Sequence, residues 1–172
     1  TTAVTAPLTL YAHFSTNFLV KFYDAQNKVF HSVEVAPGAT VSAPANPTPP
    51  AKKVFRSWHI IENGVLAAAE YVFSTPVNSN FTLAPKFADT FYVFFISRGT
   101  TVTPQIVVSG EQATLPAAPT RAGYTFQHWS LTDGGTAYTF ATPVTADTTL
   151  YAVWQAQTVD YTLVYWLEKP NV

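Results

Sequence analysis

The chain has 172 residues, 48% of them apolar and only 11% charged, with nine basic against ten acidic side chains. That apolar share supports a packed core rather than wholesale disorder, and the net charge of −1 argues against a nucleic acid or anionic membrane held by bulk charge. No apolar run reaches the ~18–20 residues of a membrane helix, and the absence of Cys excludes disulfides, thiolate metal sites and a Cys nucleophile.

Thr, Val and aromatic residues fill the space that charge vacates, and 13 Pro punctuate it, so the composition reads as mainly β, α+β at most. The opening TTAVTAP has neither Met nor a basic start, so no signal peptide is read there and a fragment of something longer is expected. Thr1–Phe14 ends as a strand. Phe18–Tyr23 (FLVKFY) reads as a continuous apolar run, predicting a central strand covered on both faces. A hairpin across Asp24–Asn27 leads into Lys28–Val35, where Val29, His31, Val33 and Val35 share a face. Ala43–Ala51 (APANPTPPA) cannot be helix interior.

A short strand, VFRSWHI, follows, and Val65–Tyr71 (VLAAAEY) is the one helix-permissive patch, long enough for a single turn. In FTLAPKF, Pro85 predicts an edge strand or a bulge. The pattern then starts again. Phe91–Ile96 (FYVFFI) is a second apolar run, predicting another doubly covered central strand, Leu115–Thr125 a loop with a Gly turn, and TFQHWSL a short strand. Asp133-Gly134-Gly135 reads as a turn. In TTLYAVW, Leu150, Ala152 and Trp154 share one face, Tyr151 and Val153 the other. After the linker QAQTVD, Tyr161–Leu167 (YTLVYWL) reads as the first strand of a further unit.

The chain is internally repetitive. STPVNSNFTLAPKF (Ser74–Phe87) matches ATPVTADTTLYAVW (Ala141–Trp154) without a gap, and TTAVTAPLTLYAHF (Thr1–Phe14) matches both. Between these endings, Gly38, Pro44, Pro47, Phe55 and Trp58 correspond in order to Gly110, Pro116, Pro119, Phe126 and Trp129. The predicted organisation is a C-terminal strand of a preceding repeat at 1–14, a diverged repeat at 15–88, a second repeat at 89–156, and a linker with the first strand of a following repeat at 157–172. Only three residues join the full repeats, Ala88–Thr90, which predicts a stiffer junction than the one before Tyr161.

The sequence offers little chemistry. His13, His31, His59 and His128 show no HxH, HxxxH or HExxH spacing, so no metal site is expected and partly exposed strand histidines are the better reading. The carboxylates are scattered, no acid–base pair recurs in both repeats, and no GxSxG elbow occurs, so no catalytic residues are assigned. Trp58, Trp129 and Trp154, with Tyr11, Tyr124 and Tyr151, form the candidate sugar-stacking platform. Recurrence at equivalent repeat positions favours a core role instead. Trp166 falls outside the repeated positions. An intramolecular isopeptide at Lys21 is disfavoured because its counterpart is Phe94. Asn80-Phe81-Thr82 is a glycosylation sequon in form only. Binding residues are therefore unassigned.

The second repeat resembles the Listeria–Bacteroides repeat, also called the internalin-type B repeat. The resemblance is carried by Pro116, Pro119, Thr120, Arg121, Gly123, Tyr124, Phe126, Trp129, Phe140, Pro143, Val144, Thr145, Thr149, Leu150, Tyr151, Ala152 and Trp154. It departs at His128, where the family usually has Gly, which questions the local turn. The first repeat keeps Pro44, Pro47, Thr48, Phe55, Trp58, Phe73, Pro76, Val77, Thr82 and Leu83, and loses the R-x-G-Y and Y-A-x-W elements. The resemblance implies tandem small β-grasp-like domains with little or no helix on bacterial cell-surface adhesins, without catalytic residues or cofactors. The expected function is a non-enzymatic, extracellular stalk attached to the cell wall. Its partners would be neighbouring repeats of the same chain, with neither nucleic acid nor membrane insertion. The alternative is a module that binds a host protein or a glycan.

Overall fold

The computed structural model describes residues 16–168, together with Pro7, Thr9 and Tyr11. The strand expected to end at Phe14, and His13 within it, lie outside the described residues. The chain divides between Ala88 and Asp89 into two compact units. The only regular elements in both are strands, with no helix among the described residues.

The first unit contains β1 (Phe18–Tyr23), β2 (Val29–Val35), β3 (Lys53–Glu62), the two-residue β4 (Val65–Leu66) and the first half of β5 (Phe81–Ile96). The order is β2-β1-β5-β3-β4. β1 and β2 form an antiparallel hairpin from Phe18↔Val35 to Tyr23↔Val29, while β1 runs parallel to β5 with Val20 opposite Phe81 and Phe22 opposite Leu83. A parallel neighbour requires a long crossover. Here the crossover carries the Pro-rich loop, β3 and the segment up to β5.

The second unit uses the other half of β5 with β6 (Gln105–Val108), β7 (Tyr124–Ser130) and β8 (Thr148–Ala156). β6 is antiparallel to β5, β8 is parallel to it with Val93 opposite Thr148 and Phe95 opposite Leu150, and β7 is antiparallel to β8. The order β6-β5-β8-β7 therefore reproduces β2-β1-β5-β3 of the first unit.

The two cores match as well. Val20, Phe22, Val35, Val41, Trp58, Tyr71, Val77 and Leu83 fill one; Val93, Phe95, Val107, Ala113, Trp129, Val144, Leu150 and Ala152 fill the other. Val41, Tyr71 and Val77, like Ala113 and Val144, lie on irregular segments. The layer over the sheet is thus loop, held by backbone bonds that recur: Tyr71 N–H to Trp58 O and Tyr138 N–H to Trp129 O, both 2.7 Å. Gly38 and Gly110 both have positive φ, and their N–H groups reach Val77 O and Val144 O.

Several expectations need correction. The central strands are covered on one face only: Val20 and Phe22 are buried but Lys21 is exposed, and Val93 and Phe95 are buried but Phe94 and Ile96 are not. An apolar run overstated coverage because aromatic and aliphatic side chains also occupy the open face of the second unit. The patch at 65–71 forms no helical turn. Asn63 and Gly64 both take φ > 0, a type I′-like hairpin turn that pairs Leu66 with Ile61. Pro85 is not on an edge strand; it falls beyond Leu83, where the pairing of β1 with β5 ends, so its missing N–H breaks none of those pairs. Tyr161–Leu167 carries no strand and pairs with none of the described strands.

Candidate functional site

The candidate platform is taken apart by burial. Trp58 is 3% exposed and Trp129 1%. Each is packed by the same partners: Phe22 and Phe55 against Trp58 at 5.2 and 5.4 Å between ring centroids, Phe95 and Phe126 against Trp129 at 5.0 and 5.5 Å. Tyr71–Phe73 and Tyr138–Phe140 add edge-to-face pairs at 5.1 Å in both units. Such pairs favour edge-on geometry because the ring face is electron-rich and the rim is not. Trp154 packs on Phe126 at 5.7 Å and donates its Nε1–H to Ser97 O at 2.7 Å. Trp58 and Trp129 are core residues, Trp154 is a half-buried residue packed against the second core, and they present no shared face to a sugar. Tyr11 is exposed, Tyr124 stands under the Arg121 guanidinium at 3.8 Å, and Trp166 is 92% exposed on the strandless segment.

The histidines have structural partners. His59 is buried, contrary to the expectation of partial exposure. Its Nδ1 lies 2.8 Å from Ala67 O and its Nε2 2.8 Å from Ser57 Oγ. A carbonyl only accepts, so Nδ1 carries the proton and Nε2 accepts from the serine in the neutral ring. His128 Nε2 bonds Gly135 O at 3.0 Å. Ser57-Trp58-His59 is thus mirrored as His128-Trp129-Ser130, with one imidazole in each unit fastening the loop that follows. The doubted turn at His128 is a bulge instead: pairing shifts between Phe126 and His128 while the strand continues. Among the described residues no group of three or more His, Asp or Glu is placed to hold a metal ion. Lys21 is exposed.

One concave feature escaped the sequence reading. A cleft of about 530 Å³ lies in the first unit between the β1–β2 turn and the Pro-rich loop, lined by Asp24, Gln26, Phe30, Asn46, Pro47 and Thr48 among others. Pairing shifts at Phe22/Tyr23, so that Phe22 faces His31 and Tyr23 faces Val29. Phe30 is the residue passed over. Its ring therefore leaves the alternation of KVFHSVEV and stacks on Trp58, 6.1 Å away and 16° from parallel. Asp24 Oδ1 accepts the N–H groups of Gln26 at 2.8 Å and Lys28 at 2.9 Å, which fixes the carboxylate at the cleft mouth. The Asp-x-x-Asn turn was legible in the sequence, but the bulge that redirects Phe30 was not.

Residues 91–153 match the family model of the Listeria-Bacteroides repeat domain, as the motif residues of the second repeat imply. No curated protein matches the chain. Among solved structures the chain is similar to Streptococcal High Identity Repeats in Tandem (SHIRT) domains 3-4 from a cell surface protein, at 14% identity, over 81% of this chain and 98% of that one, with a TM-score of 0.26.

Proposed function

We propose that this chain is a non-enzymatic, extracellular repeat segment of a bacterial cell-surface adhesin, a spacer that projects a binding region away from the cell wall. One observation carries the reading: the same all-β unit is built twice, each copy with its own aromatic core. Side chains that recur between the copies are spent on packing and loop fastening, which is what a unit selected for tandem repetition needs. The strand order with a parallel central pair supports a β-grasp-like description, with irregular chain where such a fold would place a helix. The partners in this reading are neighbouring repeats of the same chain. Pulling the chain between two handles tests it. Two separate unfolding events are expected, one per unit; a single collective event sinks the spacer of independent units. A second reading, a module that binds a host protein or a glycan, is favoured by the cleft beside Phe30.

A further inference from the structure

We infer that the cleft between the β1–β2 turn and the Pro-rich loop of the first unit binds a neutral sugar. The inference rests on the second reading above, and its failure leaves the spacer role standing. The cleft's volume, about 530 Å³, lies within the ~300–1,000 Å³ of small-molecule sites.

Its lining is of two kinds. Phe30 is 43% exposed, and its ring stacks on the buried Trp58, 6.1 Å away. A rigid aromatic face complements the C–H face of a pyranose, whose slightly positive hydrogens meet the electron-rich ring. Around it stand Gln26 and Asn46, each offering an amide donor and acceptor, and the Thr48 hydroxyl. Sugar hydroxyls both donate and accept, so mixed groups of this kind suit them. Asp24 supplies an acceptor whose orientation is set in advance by the Gln26 and Lys28 N–H groups. Order already imposed by the hairpin need not be imposed again on binding. Neither Lys nor Arg lines the cleft, and the Asp24 charge repels anions, so the ligand class is a neutral saccharide rather than a sialylated or uronic one. Pro47, buried in the wall, stiffens the opposite side.

The test is a titration of the full ¹⁵N-labelled chain with lactose, maltose and N,N′-diacetylchitobiose, with 3′-sialyllactose as the anionic counterpart. At least one neutral disaccharide is expected to shift the amide signals of Asp24–Phe30 and Ala45–Thr48 saturably, and 3′-sialyllactose to leave them in place. Phe30→Ala is expected to weaken that binding about tenfold or more. Because Phe30 also touches Trp58, Gln26→Ala and Asn46→Ala serve as second variants; both side chains are exposed, and each is expected to weaken binding while core signals stay put. The inference is overturned if no neutral disaccharide shifts these signals, if the shifts map elsewhere, or if all three variants bind as the parent does.

Discussion

The Asn80 side-chain oxygen accepts the backbone N–H of Leu19 at 2.7 Å, sixty-one positions away in sequence. Asn80 directly precedes β5 and Leu19 sits at the start of β1, so the bond clamps the parallel pair at its first rung. The second unit repeats it with Asp147 and the Tyr92 N–H at 2.9 Å. A parallel ladder has no tight turn to set its register; the Asx side chain supplies that constraint. Asn80→Ala is expected to cost the first unit about 1 kcal/mol. Asp147→Ala should cost the second unit more, because a bond to a carboxylate is roughly twice as strong. Urea unfolding followed by signals from each unit reads both, and a loss in the wrong unit would contradict the assignment.

Trp129 and Trp154 should answer differently to the same change. Trp129 Nε1 is buried with no hydrogen-bond partner among the described residues, whereas Trp154 Nε1 bonds Ser97 O. Trp129→Phe removes volume and an unsatisfied donor together; Trp154→Phe strands a carbonyl. Trp129→Ala, which empties the site, is expected to cost about 3–5 kcal/mol, a large part of what a small domain has. Denaturation midpoints check the order, with Trp129→Ala lowest.

Fluorescence separates core from exposed tryptophans. In single-tryptophan variants, acrylamide is expected to quench Trp166 strongly and Trp58 and Trp129 hardly at all, given exposures of 92%, 3% and 1%. Efficient quenching of Trp58 or Trp129 in a folded variant would restore the platform idea.

Lys52 stands where the second repeat has Gly123, and both are left-handed, with φ of 56° and 75°. The strand that follows each starts at the next residue, Lys53 or Tyr124, so the same kink is needed in both units. A side chain there costs about 1–2 kcal/mol that Gly avoids. Gly123→Ala is therefore expected to lower the stability of the second unit by about 1 kcal/mol in calorimetry.

These positions show what the sequence disclosed. The repeat alignment located both tryptophans, both Gly turns and the shared face of Leu150, Ala152 and Trp154, because large side chains at equal spacing must build equal cores. Asn63-Gly64 is a hairpin dipeptide in its own right, and a reading centred on the helix-permissive alanines after it passes it over. One-sided coverage of the central strands was not legible, since the exposed Phe94 and Ile96 look like core residues on any local pattern. The Phe30 cleft was out of reach for a different reason. It depends on a bulge, and bulges arise from how two strands accommodate each other rather than from the composition of either.

Tyr71 couples the first core to pH. Burial pushes its phenol above the ordinary value of 10.0, because the phenolate loses its water. Its hydroxyl has no hydrogen-bond partner among the described residues. Between the unfolded and folded values, the native state keeps a proton that the unfolded chain has lost, so stability falls with rising pH across that interval. The contribution is complete below about pH 10 and is lost as pH climbs toward the folded value. Tyr71→Phe removes the titrating group. Relative to the parent, the variant is expected to gain stability progressively above about pH 10. At neutral pH it should be unchanged or slightly more stable, since an unsatisfied hydroxyl is removed. Urea unfolding at neutral and alkaline pH measures both. A neutral-pH loss beyond about 1 kcal/mol would mean that the hydroxyl has an acceptor after all, and parallel alkaline slopes for variant and parent would show that its phenol is not shifted.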